Sequence, residues 1–305
     1  MSNIKSVLFV LLFIGFHNAW SQNGIDNYLK PSDTLDKKRL NAVIVSETVV
    51  ASATLIGPNQ LWYADYPKSN FHFINDNEEW LQIDKAGHLF SSYHLGKIGA
   101  DALKWSGVSK KNQLIYGSSL GLAFLTTVEV FDGFSANWGA SFGDVVANVS
   151  GTALYISQEL LWKEQRVIPK FSFHTTRYAS LRPDVLGSSL NEQILKDYNG
   201  QTYWLSCNIH SFFKESKIPK WLNVAFGYGA EGMITGDEDT GNAIFISKDE
   251  RYRQFYLSFD VDLTKIETKS HVLKTLFSVF NSLKIPAPTL EINGSHGVKV
   301  HLFYF

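Results

Sequence analysis

Pairs of polar side chains recur in this sequence at spacings that place both members on one face of an α-helix. Separations of three and four residues have this effect because a helix turns once every 3.6 residues. Each pair combines a carboxylate with a histidine, a second carboxylate or an amide. The pairs are Asp84 with His88, Glu129 with Asp132, and Asp144 with Asn148.

Several kinds of chemistry fit these residue types. Histidine, glutamate and aspartate that converge from facing helices of a bundle are the usual ligands of carboxylate metal sites, so the sequence predicts candidate ligands for a divalent metal. A bound metal would activate water, and the same groups would also serve as general acid and base. The candidate catalytic residues are Asp84, His88, Glu129 and Asp132, and the candidate metal ligands are Asp84, His88, Glu129, Asp132 and Asp144.

A structural role fits the same residues. Asp84 and Asp144 stand where helices are expected to begin, and aspartate is a favoured N-cap residue. Asp132 precedes Gly133, as in a turn. A buried polar network that holds the helices in register is therefore a third alternative, beside a metal site and an acid–base pair.

Four helices are expected to position these residues, over about 40–55, 82–105, 111–132 and 142–163. The last three are dense in Gly, Ala and Ser, which let helix backbones approach closely. The longest uncharged run of the third helix, 112–128, has 17 residues, at the lower limit of about 17 for a membrane span. We expect a tightly buried or membrane-apposed bundle rather than a spanning one.

The second half of the chain alternates apolar and polar residues, as β-strands do. Strands are expected near 170–176, 203–213, 221–233, 253–263, 289–293 and 298–305, with helices at 190–198 and 272–283 and a hairpin turn at 294–297. The fold class is α+β, an N-terminal bundle of about four helices followed by an antiparallel β-rich half with helical inserts. The predicted parts are 1–21 signal peptide, 22–39 polar arm, 40–166 helical domain and 167–305 β-rich domain.

The N-terminus has the pattern of an export signal. Lys5 precedes an apolar run over 7–16, and Ala19-Trp20-Ser21 offers small residues for cleavage before Gln22. Ten apolar residues are too few for a membrane span, which needs roughly 20. The one cysteine, Cys207, is far from this signal, so neither a lipid anchor nor an intramolecular disulfide is indicated. We expect a periplasmic or outer-membrane-associated protein.

Composition and motifs exclude several classes of partner. A net charge of −1 offers no basic surface for nucleic acid, and no Rossmann, P-loop or Cys/His zinc pattern predicts a nucleotide cofactor or a zinc finger. Gly117-Ser118-Ser119-Leu120-Gly121 matches G-x-S-x-G, but it lies in a helical run and is better explained as helix packing. The aromatic content of 14% against 19% charged residues indicates that many rings pack against the protein's own core, a partner or lipid, and the expected partner is a membrane or an envelope component.

The motifs resemble those of a known family. Asp84-Lys85-Ala86-Gly87-His88 looks like the DKxxH opening of the YfiM-like family of unknown function, and the likeness continues at 129–133, 142–144 and 148–151. VanZ-like membrane proteins also begin a helix in a similar way. The resemblance covers about 80–162 and implies an envelope location and a polar site of Asp84, His88, Glu129, Asp132 and Asp144. It implies no activity.

The most direct interpretation is an envelope structural or interaction protein whose aromatic sheet meets lipid or a partner. One alternative is a metal-assisted envelope hydrolase that uses the Asp84, His88, Glu129, Asp132 and Asp144 set. Another is a protein that binds lipid or a small ligand in an apolar pocket. The residues alone do not decide among the three.

Overall fold

The computed structural model describes residues 19–58, 67–236 and 251–304. Most of the predicted signal peptide, residues 1–18, lies outside these ranges, as does the terminal Phe305. The described chain is α+β, as the sequence predicts, with the long helices first and one large antiparallel sheet after them.

Five longer helices occupy the first half of the described chain. They are α1 Ala19–Leu29, α2 Lys37–Pro58, α3 Ile83–Trp105, α4 Lys110–Gly133 and α5 Phe142–Leu161. A π-helical stretch, Gln113–Gly117, interrupts α4. Two short parallel strands, β1 Phe73–Ile74 and β2 Ala140–Ser141, join the loop before α3 to the start of α5.

Helix α3 is the centre of the bundle and packs closely on α4 and α5. Where α4 crosses α3, a Cβ added to Gly121 would stand 2.2 Å from the carbonyl oxygen of Ser92. At the α5 crossing, a Cβ on Gly151 would stand 2.2 Å from the carbonyl oxygen of Leu89. Both glycines are therefore required by close backbone contact. Ser119 Oγ donates to the Ile115 carbonyl of its own helix at 2.7 Å, in keeping with a packing segment.

The sheet is a six-stranded antiparallel meander, and each strand pairs with the next in the chain. Its strands are β3 Val167–Phe173, β4 Gln201–Asn208, β5 Leu222–Glu231, β6 Tyr252–Val261, β7 Ala287–Asn293 and β8 Gly297–Tyr304. The helical inserts are α6 Tyr178–Leu181, α7 Pro183–Leu186, α8 Leu190–Lys196, α9 Ile209–Phe212 and α10 His271–Phe280.

Two predictions about local structure were wrong. The strand expected at 203–213 ends at Asn208, whose side chain accepts from the Ser211 amide and starts α9. The segment 22–39, expected to be a loose polar arm, contains α1. Asp26 Oδ1 accepts from Ser270 Oγ at 2.6 Å and from the Val272 amide, because a carboxylate binds the free amides at the start of a helix, here α10.

The two faces of the sheet have inverted polarity. Residues that are paired across neighbouring strands form rows, and successive rows point to opposite faces of the sheet. One face carries apolar rows, and we call it the outer face. The other face carries polar or small residues, and we call it the inner face. One apolar row is Leu205, Phe226, Leu257, Leu290 and Val300, and the next row on the inner face is Ser206, Ala225, Ser258, Thr289 and His301.

Burial confirms which face is inside. Ser206 and Ala225 on the inner face have no exposed surface, whereas Phe226 is 55% exposed and Val300 is 74% exposed. The inner face is filled by hydrogen-bonded polar groups. At its centre Lys170 Nζ lies 2.8 Å from Asp260 Oδ2, and neither side chain is exposed.

Helix α4 satisfies the length and composition of a membrane span. Its apolar window has a mean hydropathy of 1.5, and 28% of that window is buried. No other helix in the described ranges passes that test. The exposed large apolar residues of α4 are Ile115, Tyr116 and Val130, so this helix is not tightly buried throughout, and the membrane-apposed alternative stays a prediction. One such helix is weak evidence for a span.

Candidate functional site

A short left-handed turn leads the chain into α3. Trp80, Leu81 and Gln82 have φ values of 47°, 50° and 65°, a region that non-glycine residues seldom adopt. The Trp80 amide donates to the Gly236 carbonyl at 2.7 Å, and the Tyr228 hydroxyl donates to the Leu81 carbonyl. These contacts with the sheet side hold the turn and set where Asp84 and the residues after it enter the bundle.

A lysine lies among three carboxylates at the start of α3. Lys85 Nζ is 2.6 Å from Asp76 Oδ2, 2.8 Å from Asp84 Oδ2 and 3.1 Å from Asp144 Oδ1. The contact with Asp144 is an ion pair without hydrogen-bond geometry, since Asp144 Oδ1 has no hydrogen-bond partner among the described residues. The Lys85 ammonium is thus the cation of this group.

His88 lies one turn further along α3, beside α4 and α5. Its Nδ1 is 3.0 Å from Asn148 Oδ1 and 3.9 Å from Glu129 Oε1, and its Nε2 is 3.8 Å from Asp144 Oδ2. Asp144 therefore stands between the two groups, with one oxygen toward Lys85 and the other toward His88.

Ser141 connects the two groups through its backbone and side chain. Its amide donates to Glu129 Oε2 at 3.0 Å, and its hydroxyl donates to Asp76 Oδ1 at 2.5 Å. The same hydroxyl accepts from the Asp144 amide at 3.1 Å and caps α5. The N-cap of α5 is thus Ser141, and the capping role considered for Asp144 was wrong. Asp84 is likewise inside the first turn of α3, because Gln82 occupies the cap position.

We call this set the polar cluster. Its members are Asp76, Asp84, Lys85, His88, Glu129, Ser141, Asp144 and Asn148. The structure brings together Asp84, His88, Glu129 and Asp144 from the sequence-predicted set. Asp132 is one turn beyond Glu129 and adds its negative charge nearby, but it is in neither group of three residues whose ligand atoms all lie within 4.8 Å of one another.

Two members of the polar cluster had no sequence signal that marked them. Asp76 is part of Asn75-Asp76-Asn77, a pattern that predicts a turn, and Ser141 precedes the expected helix. The loop containing Asp76 reaches the site because β1 pairs with β2, a contact between segments far apart in sequence. Lys85 was visible in the DKxxH motif without a role.

Burial controls the charge state of the carboxylates. It raises the pKa of Glu129 to about 7, and it raises the pKa values of Asp84 and Asp144 above their usual range. For Asp76, burial acts in the same direction, but hydrogen bonds from Lys85 and Ser141 outweigh it and lower the pKa. Lysine is charged when protonated, so burial acts to lower the pKa of Lys85. Its carboxylate partners outweigh this effect and raise that pKa well above normal.

One side of the polar cluster faces a cleft of about 300 Å³ between the bundle and the sheet. Asp84 and His88 are on its wall, and the rest of the lining is mostly apolar and aromatic. The other lining residues are Gly87, Phe90, Ser91, Leu125, Phe171, Ile194, Leu195, Tyr198, Gln201 and Tyr203. A small molecule in this cleft would contact His88 directly.

Residues 72–158 match a family described as predicted periplasmic lipoprotein (DUF2279). The chain is a protein of the cell envelope, periplasmic or outer-membrane-associated, as the sequence predicts. The matched stretch holds every member of the polar cluster, whereas the whole six-stranded sheet lies outside it. The match supports an uncharacterised envelope family and carries no activity. No curated protein and no solved structure matches the chain.

Proposed function

We propose that this envelope protein lies against one membrane leaflet, with the outer face of its sheet in contact with the acyl chains. The inverted polarity of the sheet carries this proposal. Three apolar rows form the outer face, and none contains a charged residue. The rows are Cys207, Val224 and Phe259; Leu205, Phe226, Leu257, Leu290 and Val300; and Tyr203, Tyr228, Phe255, Ile292 and Val298. Tyr203 and Tyr228 pack against the helical bundle beside Ile83, so the lipid-facing part of the third row is Phe255, Ile292 and Val298.

The polar groups of the inner face are buried and hydrogen-bonded, so the inverted polarity of the sheet is a property of the fold. Lys170 Nζ contacts Asp260 Oδ2 and also donates to the Val261 carbonyl at 2.7 Å. Ser206 Oγ donates to the same carboxylate at 2.6 Å. A fully buried ion pair is costly unless its hydrogen bonds are satisfied, and here they are. An exposed apolar surface of this extent marks a contact with another apolar medium.

The dimensions and ends of the outer face favour lipid over a protein partner. Three rows spaced two residues apart cover about 14 Å along the strands, close to half of the ~30 Å hydrocarbon core of a bilayer. At one end of these rows Arg253 Nε donates to the Tyr228 hydroxyl at 3.1 Å. Tyrosine and basic residues are typical of the boundary between lipid and water. Protein interfaces retain a larger polar share.

The resemblance to the YfiM-like family agrees with this proposal, since it too implies an envelope location. The sheet extends beyond the stretch that carries that resemblance, so its contact with lipid would be a feature of the longer chain. The exposed apolar surface of α4 is a second region suited to lipid.

Vesicle flotation tests the proposal. The full chain is mixed with vesicles of phosphatidylethanolamine and phosphatidylglycerol, and the floating fraction is measured for the wild type, Leu257→Glu and Leu190→Glu. Leu257 is on the outer face, and Leu190 is an exposed leucine of α8 outside the lining of the cleft, so the second variant is the matched control. We expect Leu257→Glu to weaken binding at least tenfold and Leu190→Glu to leave it within about twofold, because a carboxylate in hydrocarbon is strongly unfavourable.

Two outcomes would overturn the proposal. One is a wild-type protein that stays with the soluble fraction. The other is an equal loss in both variants. A wild-type dimer that Leu257→Glu dissociates, without flotation, would assign the outer face to a second copy of the chain. Circular dichroism of each variant checks that the fold is kept.

A further inference from the structure

We propose that His88, Glu129 and Asp144 bind one divalent first-row transition-metal ion, with Zn²⁺ as the ion of choice. The proposal is independent of membrane contact, because the site is in the helical bundle and the lipid-facing rows are in the sheet. Each of the three side chains comes from a different helix, α3, α4 or α5.

The ligand atoms already stand at distances close to those of a metal centre. One atom from each residue lies within 4.8 Å of the other two. His88 Nε2 is 3.8 Å from Asp144 Oδ2, and Glu129 Oε1 is 3.9 Å from Nδ1, the other nitrogen of the same ring. Bonds to zinc are about 2.0–2.2 Å long for nitrogen and oxygen ligands, so small side-chain rotations would bring all three onto one ion.

Asn148 prepares His88 for this role. An amide oxygen accepts a hydrogen bond, so the contact of Asn148 Oδ1 with His88 Nδ1 places the imidazole proton on Nδ1 and leaves a lone pair on Nε2. That lone pair faces Asp144 Oδ2, which receives no hydrogen bond from the described residues. A metal-bound histidine commonly has its second nitrogen held in this way. A metal ion between these two facing acceptor atoms would satisfy both of them.

The amide nitrogen of Asn148 is a second sign of a missing ligand. Asn148 has no exposed surface, and its Nδ2 has no hydrogen-bond partner in the described part of the chain. Buried donors of this kind are rare in folded proteins. The same side chain contacts His88, so this amide lies beside the proposed metal site. A water or hydroxide bound to the metal would accept its hydrogen bond.

Charge favours this triad over the neighbouring one. Asp76, Asp84 and Asp144 also have ligand atoms within 4.8 Å of one another, but the Lys85 ammonium already lies among them at 2.6–3.1 Å. Asp144 contacts that ammonium through Oδ1, whereas its Oδ2 lies toward His88, and Glu129 forms its ion contact with His88. Buried negative charge without a cation is unfavourable, and a divalent ion at the His88 side would balance it.

The ligand types select the class of metal. One imidazole nitrogen with two carboxylate oxygens suits Zn²⁺, with Mn²⁺ and Fe²⁺ as relatives, better than Ca²⁺ or Mg²⁺, which prefer all-oxygen shells. His88 borders the 300 Å³ cleft, which gives the ion a path of entry.

Isothermal titration with Zn²⁺ tests the site in the full, metal-stripped chain, with Mg²⁺ as a second titrant. The variants are His88→Gln, Glu129→Gln and Asp84→Asn. Asp84 is the matched control, because it borders the same cleft and contacts Lys85 but is outside the proposed triad. We expect one Zn²⁺ per wild-type chain, a loss of affinity of at least tenfold in His88→Gln and Glu129→Gln, and less than threefold in Asp84→Asn. Mg²⁺ should bind at least tenfold more weakly than Zn²⁺.

The proposal is overturned if the wild type takes up no stoichiometric Zn²⁺, if the two triad variants bind as the wild type does, or if Asp84→Asn loses as much affinity as they do. Thermal unfolding without metal accompanies each titration. The amide substitutions keep the side-chain shape, so a variant that is folded without metal and fails to bind Zn²⁺ reports on the ligand itself.

Discussion

Lys170 of β3 and Asp260 of β6 form an ion pair across the inner face of the sheet, with 2.8 Å between Nζ and Oδ2 and no exposure of either side chain. Two strands that are not neighbours are thus joined by buried charges. Asp260 also accepts from Ser206 Oγ and from the Ile285 amide. The pair is the centre of the polar interior that the apolar outer face encloses.

Removal of one partner of this pair should destabilise the protein strongly. Lys170→Met leaves Asp260 buried without its cation, which costs about 3–5 kcal/mol of unfolding free energy. Urea unfolding at neutral pH measures the change. Lys220→Met is the control, because Lys220 pairs with Glu267 at an exposed position, and no measurable change is expected there. Equal effects of the two substitutions would contradict this view of the interior.

Close packing of α3 against α4 predicts that a single methyl group is not tolerated at Gly121. Its Cβ would overlap the Ser92 carbonyl oxygen, 2.2 Å away, and forced separation of packed elements costs about 1–3 kcal/mol. Gly294→Ala serves as the comparison, since nothing lies within 4 Å of the added carbon there. Thermal unfolding of both variants should show a loss for Gly121→Ala alone.

Stability should fall in mild acid because of His94. Burial lowers its pKa to about 4, with Lys97 and Lys170 acting in the same direction and the hydrogen bond to the Pro169 carbonyl against it. The unfolded chain takes up the proton near the ordinary value of about 6.5. The contribution is therefore complete above about pH 6.5 and is lost as the pH falls to about 4, by about 3 kcal/mol.

The measurement for His94 is the unfolding free energy as a function of pH. Carboxylates also titrate in this range, so the useful quantity is the difference between the wild type and His94→Gln. The slope between pH 6.5 and 4 should be smaller in the variant. A wild-type slope that His94→Gln leaves unchanged would show that other groups cause the acid sensitivity.

Ser141 should have a larger effect than an ordinary helix cap. Its hydroxyl caps α5 and donates to Asp76, so Ser141→Ala removes two hydrogen bonds at once. Loss of a cap costs about 1 kcal/mol, and the unpartnered buried carboxylate oxygen adds about 1–3 kcal/mol. Ser189→Ala, at the exposed start of α8, should cost the cap alone. Chemical unfolding distinguishes the two.

The sequence by itself determined which residues share a face. Spacing of three and four residues placed Asp84 with His88, and strict alternation placed Phe255, Leu257 and Phe259 on one side of a strand. These are local properties, because the helix and strand repeats follow from backbone geometry alone. The helical first half, the six strands and the hairpin before β8 were predictable for the same reason.

Only the tertiary structure decided which face is inside. Alternation is symmetric, so it cannot tell whether Phe226 or Ala225 points to the interior. The choice depends on what packs against each face. Here the polar rows form hydrogen bonds in the interior around Asp260, so they point inward. The polar cluster has the same origin. Asp76 and Ser141 meet there through the pairing of β1 with β2, a contact between distant segments that no local repeat encodes.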